Sequence, residues 1–168
     1  MIEYGFGDSL FGEIIVARSP QGICDVQFLD HNKLETIHEL ATRWGLYTPT
    51  TRDDEMARRV IRVIFDRQGE GLALDLRGTA FRQRVWQVVR QIAFGQTASY
   101  RDVAAWMGCA QGVRAVATAV AQNPVAMLVP CHRVIHSDGT LGEYHWGRDL
   151  KRRLIDWETA QVAAPIGQ

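Results

Sequence analysis

The chain has 168 residues, with apolar and charged fractions of 46% and 23% and a net charge of zero. It is long enough to bury a core, as one domain or two small ones, and its longest apolar runs are far too short to span a bilayer. The start, Met1-Ile2-Glu3-Tyr4-Gly5, has no basic region followed by an apolar stretch, and the three cysteines (Cys24, Cys109, Cys131) have neither disulfide nor metal-ligand spacing. Those features predict no signal peptide and a reducing, cytoplasmic compartment.

Residues 14–17 and 23–29 are short, apolar and rich in β-branched side chains. Ser19-Pro20-Gln21-Gly22 between them reads as a turn, so the two form a predicted hairpin. Apolar residues then recur at helical spacing: Leu34, Ile37, Leu40, Ala41 and Trp44, followed by Met56, Val60, Ile61, Val63 and Ile64. Asp53-Asp54-Glu55 places negative charge at the start of the second helix, where its dipole favours it. Leu72-Ala73-Leu74-Asp75-Leu76 alternates like a third strand. Residues 1–77 therefore read as a small α+β domain, with Cys24 as a core thiol and no chemistry of its own.

From Gly78 the pattern is helical, and residues 78–168 form the second predicted domain. Thr79 or Gly78 caps a helix through Phe81, Val85, Trp86, Val88, Val89 and Ile92, which Gly95 ends. Ser99 caps a shorter helix that starts at Tyr100, and Gly108 closes it. A third helix spans about residues 111–122. The last two make a helix-turn-helix candidate. Between Val113 and Ala121 the third helix carries Val113, Ala115, Ala117, Ala119 and Ala121, with Arg114 the one long polar side chain of that stretch. A reader of base edges in the major groove offers Arg, Lys, Asn or Gln. Small residues instead permit close backbone approach, and they equally suit a buried core helix. Charge separates the two domains. Residues 1–77 hold 9 Lys+Arg against 13 Asp+Glu, a net −4, whereas residues 78–168 hold 10 against 6, a net +4. A basic half can make phosphate contacts while the acidic half faces away.

The chemistry concentrates in Val129-Pro130-Cys131-His132-Arg133-Val134-Ile135. The apolar flanks predict a strand, with Pro130 favouring an edge or an end. A thiol becomes a nucleophile when a base or a positive charge favours the thiolate, and His132 and Arg133 are both candidates. A buried structural cysteine beside a surface histidine is the plainer alternative.

The run from Asn123-Pro124 through Pro130-Cys131-His132-Arg133-Val134, with Gly142-Glu143-Tyr144 downstream, resembles the alkyl-acceptor site of the O6-alkylguanine-DNA alkyltransferases. The likeness covers at least residues 78–158 and is similar to the C-terminal domain of the adaptive-response protein. It implies a ribonuclease-H-like antiparallel sheet with helices, then a mostly helical domain with a winged-helix-like helix-turn-helix. It further implies direct DNA repair, by irreversible and stoichiometric transfer of an alkyl group, mainly methyl, from O6 of a flipped-out guanine (or O4 of thymine) to Cys131.

By the same resemblance His132 is the base, acting on the thiol through a water, and Glu158 orients it. Tyr100 donates towards N3 of the guanine. Arg114 fills the gap left by the extruded nucleotide, and Ala115, Ala117 and Ala121 lie in the minor groove with little sequence preference. Asn123 ties the helix-turn-helix to the active-site segment. The carbonyls of Cys131 and Val134 accept the guanine amine, Tyr144 walls the pocket, and the backbone amide of His145 approaches O6. Trp146 stands where several members have a small residue, which predicts a narrow pocket that takes methyl well and benzyl poorly. Ala126 stands where some have proline, which removes an apolar face for bulky adducts. The implied partner is double-stranded DNA, with no membrane, and the protein is expected as a monomer without cofactor. No structural zinc is expected, because Cys24, His31 and His38 make no four-ligand spacing.

Other readings keep parts of this pattern. A lesion-binding relative without transfer would lack the cysteine, which is present. A transcriptional regulator would need base readout, which the third helix is poorly equipped to give. A thiol hydrolase with a Cys-His-Glu triad would turn over, whereas a transferase stops after one event.

Overall fold

The computed structural model describes residues 1–30, 32–45, 51–66 and 71–164, so His31 lies outside the described residues. The chain is α+β and forms two compact units. One comprises Met1–Arg77 with Pro124–Leu128, the other Gly78–Asn123 with Val129–Gln168.

The first unit is built on a four-stranded sheet in the order β3-β2-β1-β4, with β1 Glu3–Ser9, β2 Gly12–Ser19, β3 Gly22–Phe28 and β4 Thr51–Arg52. β2 and β3 form the predicted hairpin, and β1 pairs antiparallel with β2. β4 departs from a purely antiparallel sheet, because it runs parallel to β1. β1 has no clear strand signature, since Gly5 and Gly7 interrupt it. Helix α2 (Asp54–Phe65) explains both glycines: a Cβ on Gly5 would lie 2.1 Å from the Asp53 carbonyl oxygen, and one on Gly7 2.8 Å from Ile61 Cδ1. On the opposite face Phe6, Ile15 and Ala17 pack with Leu40 of α1 (Lys33–Arg43) and with Cys24. Each large apolar side chain buried there contributes about 2 kcal/mol.

Residues 72–76 are not a third strand. They touch β3 through one parallel bridge, Leu74 to Ile23, with Ile23 N donating to Ala73 O and Asp75 N to Ile23 O. Pro124–Leu128 meets the same edge further along, where Val26 N donates to Pro124 O and Ala126 N to Val26 O. Two short contacts thus satisfy an edge that a full strand would otherwise cover.

In the second unit α3 (Ala80–Val89) begins at Thr79, whose hydroxyl accepts from Arg82 N. Its buried Trp86 donates from Nε1 to Ala119 O of α5 (Val113–Ala121) at 2.9 Å, locking the two helices together. Helix α4 (Tyr100–Trp106) starts with a capping box between Ser99 and Asp102. It ends at Gly108, φ +75°, with Gly108 N donating to Ala105 O and Cys109 N to Ala104 O. That paired C-terminal closure turns the chain directly into α5. β5 (Ala98–Ser99) and β6 (Val134–Ile135) form a short parallel ladder, and α6 (Arg148–Ala163) closes the unit.

Candidate active site

Cys131 opens a single 3-10 turn, Cys131–Arg133, rather than lying on a strand. Pro130 is the cause. Its φ of −80° and ψ of 63° make an inverse γ-turn, across which Cys131 N donates to Val129 O at 2.8 Å. Arg133 N then donates to Pro130 O at 2.9 Å, and β6 begins only at Val134. The turn keeps Cys131 and His132 from the opposite faces that neighbours on a strand would occupy. Both side chains are buried.

Asn123, just beyond the end of α5, is buried and donates from Nδ2 to Val129 O at 2.8 Å and to Cys131 Sγ at 3.1 Å. Burial pushes the Cys131 thiol up, and the Asn123 hydrogen bond and the nearby Lys151 charge only partly offset it. At neutral pH the group is therefore a thiol that needs a base.

Behind it His132 Nε2 lies 2.7 Å from Glu158 Oε1 of α6. Burial lowers the His132 pKa, so the imidazole is neutral. Burial alone would raise the Glu158 carboxyl, but hydrogen bonds from His132 and Arg133 overcome it and hold it at about 2. An ionised Glu158 only accepts, which assigns the proton to Nε2 and leaves Nδ1 with the lone pair. Nδ1 is buried and has no hydrogen-bond partner among the described residues. His132 thus presents a neutral basic nitrogen inside the protein, oriented from behind by a carboxylate.

Arg133 does not serve the thiol as its position suggests. Its guanidinium grips Glu158, Nε to Oε2 at 2.8 Å and Nη2 to Oε1 at 2.9 Å, while Nη1 donates to Ile92 O at 2.7 Å. Gly95 N adds a contact to Glu158 Oε2 at 3.3 Å. Adjacent residues of the 3-10 turn therefore converge on one carboxylate, because a tight turn, unlike a strand, can aim both side chains at the same helix.

A cavity of about 310 Å³ opens over the thiol. Cys131 and Asn123 line it together with Tyr100, Arg114, Ala117 and Ala121, and with Tyr144, His145 and Trp146 of the loop before α6. Ala115 is exposed on the outer side of α5 beside Arg114 and Thr118. Val134 is buried on β6, and its carbonyl already accepts from Lys151 Nζ at 2.6 Å. Burial, reinforced by Cys131 and Glu143, raises the Tyr100 phenol to about 12. Tyr144 is buried and its phenol is likewise raised, first by burial. Trp146 stacks edge-on with both neighbours, its ring 5.1 Å from that of Tyr144 and 4.7 Å from that of His145. Ala126 is buried in the first unit.

Two residues of the site carry no motif. His136 lines the cavity with its ring 5.1 Å from that of Tyr100. Lys151 is fully buried on α6, although it sits in the basic run Arg148 to Arg153. Helical spacing holds the missed signal: Lys151, Leu154 and Glu158 share one buried face.

The profile of the 6-O-methylguanine DNA methyltransferase, DNA binding domain, matches residues 80–160. The methylated-DNA–protein-cysteine methyltransferase of Mycobacterium tuberculosis is 34% identical over 170 residues, 99% of this chain and 98% of that protein. The chain belongs to the methylated-DNA–protein-cysteine methyltransferase family. It is also 39% identical over 158 residues to the Escherichia coli bifunctional transcriptional activator/DNA repair enzyme Ada, covering 92% of this chain but 44% of Ada. The chain thus spans less than half the length of the Ada relatives it matches. Among family structures, the M. tuberculosis O6-methylguanine methyltransferase superposes with a TM-score of 0.78 at 32% identity, covering 99% of this chain and 96% of that one. The M. tuberculosis protein in complex with DNA does so with 0.77 at 32%, covering 98% and 96%.

Proposed function

We propose that this chain repairs double-stranded DNA directly, transferring an alkyl group, mainly methyl, from O6 of guanine to Cys131, irreversibly and once per molecule. O4 of thymine is a further acceptable source. The observation that carries the reading is the buried Cys131 thiol on the cavity, hydrogen-bonded by Asn123 and backed by the neutral His132 and its Glu158. Membership of the family and the DNA complex of its mycobacterial relative support it.

In this scheme the thiol proton passes through a water to His132 Nδ1, and Glu158 steadies the imidazolium that forms. Sγ attacks the alkyl carbon in line, and the carbon–O6 bond breaks with its electron pair moving onto the guanine. Tyr100 gives its phenolic proton to N3 of the departing base. The thioether does not hydrolyse, so there is no turnover, and no metal or cofactor enters any step. The carbonyls of Cys131 and Val134 receive the guanine amine, the His145 amide approaches O6, and Tyr144 and Trp146 wall the alkyl group. Burial of Tyr144 and the edge-on packing of Trp146 support a narrow wall.

The exposed face of α5 (Arg114, Ala115, Thr118, Ala121) suits a minor groove, with Ala117 partly buried behind it. Arg114 enters the stack vacated by the flipped nucleotide, whose extrusion costs a few kcal/mol and less at a damaged pair. We further read residues 1–77 as a ribonuclease-H-like domain and residues 78–168 as a winged-helix-like DNA-binding and transfer domain, in a monomeric, cytoplasmic protein. Among the described residues no helix is long and apolar enough to cross a membrane.

The test is intact-protein mass after incubation with a duplex carrying one O6-methylguanine, beside Cys131→Ala. One added methyl on the unsubstituted chain alone, saturating at one per chain, is the expected result. Binding without a mass change would indicate lesion recognition only, and neither binding nor mass change would leave the thiol hydrolase.

A further inference from the structure

The exposed face of α5 carries a polar group to which the scheme above gives no role, the hydroxyl of Thr118. The helix buries Val116, Ala119 and Val120 and exposes Arg114, Ala115, Thr118 and Ala121. Thr118 therefore adds nothing to the core. A β-branched residue in the middle of a helix also costs stability relative to the alanines on either side. Thr118 nonetheless lines the cavity over the thiol, together with Arg114, Ala117 and Ala121.

Its hydroxyl is oriented. Oγ1 donates to Arg114 O at 3.1 Å, one helical turn back. A hydroxyl has one proton and two lone pairs, so giving the proton to that carbonyl leaves the oxygen as an acceptor. Of the exposed side chains on α5, the Arg114 guanidinium only donates, Ala115 and Ala121 have no polar atom, and Thr118 can accept.

We propose that Thr118 gives the repair reaction a local sequence preference: its hydroxyl oxygen accepts from the exocyclic amine of a guanine beside the lesion, read in the minor groove. The inference rests on the alkyl-transfer reading, with α5 in the minor groove, and deepens it. On that groove edge an A·T pair shows acceptors only, in either orientation, whereas G·C adds the N2 amine of guanine as a donor. Facing A·T, Thr118 sets an acceptor against an acceptor and must release Arg114 O to make any bond. Facing G·C, it accepts from the amine with its own proton left in place. An alanine here would be indifferent to the pair. Arg114 sets the position, because in the scheme it fills the gap left by the flipped nucleotide. Thr118 lies four residues along α5, about 6 Å at a rise of 1.5 Å per residue. Base pairs rise about 3.4 Å each, so the pair that is read stands within about two steps of the lesion.

The experiment replaces guanine with inosine, which lacks the N2 amine, at each flanking position in turn beside a single O6-methylguanine. Methyl transfer at limiting duplex concentration is measured for the unsubstituted full chain, Thr118→Val and Thr118→Ser, and the guanine-to-inosine rate ratio is compared. At one flanking position the ratio should be about fivefold higher in the unsubstituted chain than in Thr118→Val, the worth of one net hydrogen bond. Thr118→Ser keeps the hydroxyl and should hold the ratio to within about twofold of the unsubstituted value. The weaker pairing of inosine acts on all three proteins alike, and a merely structural threonine would alter both duplexes alike, so neither moves the comparison. Equal ratios in the unsubstituted chain and Thr118→Val at every position overturn the proposal, as does a Thr118→Ser ratio no higher than that of Thr118→Val. A ratio lower in the unsubstituted chain than in Thr118→Val overturns it too, because the hydroxyl then donates to the groove and the amine obstructs it. A chain that accepts no methyl from any duplex overturns the alkyl-transfer reading, and this inference with it.

Discussion

Replacing Glu158 with Gln is the sharpest probe of how the site is held together. The carboxylate is buried and accepts from His132 Nε2, twice from Arg133, and from Gly95 N. Its pKa falls from 4.5 to about 2 on folding. That depression corresponds to about 3 kcal/mol of folding stability. For a depressed acid the contribution is fully present above the unfolded pKa and is lost as pH falls towards the folded one. About 2 kcal/mol of it should therefore be gone by about pH 3. Gln leaves the Arg133 guanidinium buried with neutral acceptors only, the amide oxygen and Ile92 O, the situation in which breaking a buried pair costs about 3–5 kcal/mol. Urea unfolding of Glu158→Gln and the unsubstituted chain should differ by about 3 kcal/mol at neutral pH and by about 1 kcal/mol near pH 3. A difference below about 1 kcal/mol at neutral pH, or one unchanged in acid, would refute the reasoning that ionisation of this carboxylate stabilises the site.

Asn123→Ala removes donors to Val129 O and Cys131 Sγ, leaving the thiol higher in pKa; methyl transfer should slow by about tenfold or more, most at neutral pH, in a single-turnover assay. Trp146→Gly should open the cavity: the unsubstituted chain should react slowly with free O6-benzylguanine, and the variant at least about tenfold faster, measured by loss of acceptor activity. Rapid inactivation of the unsubstituted chain would sink that expectation. Gly142→Ala combines a φ of +73° with a Cβ beside His136 and Tyr100, so it should destabilise the chain by more than about 1 kcal/mol in urea unfolding.

Some of this protein was legible from its residues alone, for a shared reason. The Ser99–Asp102 cap, the Gly108 closure and the β2–β3 hairpin are made by groups a few positions apart, whose hydrogen bonds form wherever the segment sits. The Asn-Pro and Pro-Cys-His-Arg-Val spacing likewise pointed to a thiol nucleophile and to the family. Other features had no local signature. β1 is a strand because α2 packs against two glycines, and residues 72–76 fall short of one because they meet β3 at a single bridge. The turn at Cys131 follows from the γ-conformation of Pro130, where the apolar flanks alone suggested extended chain. Arg133 looked like a charge beside the thiol, and Lys151 had no sequence signal of its own within a basic run. Folding sends the first to Glu158, 25 residues away, and buries the second against carbonyls 8, 10 and 17 residues away. The sequence by itself determined which groups could react and where helices begin and end. Only the tertiary structure decided which charges share a partner and which protonation state each group holds, because those outcomes depend on desolvation, and desolvation is a property of the packed interior.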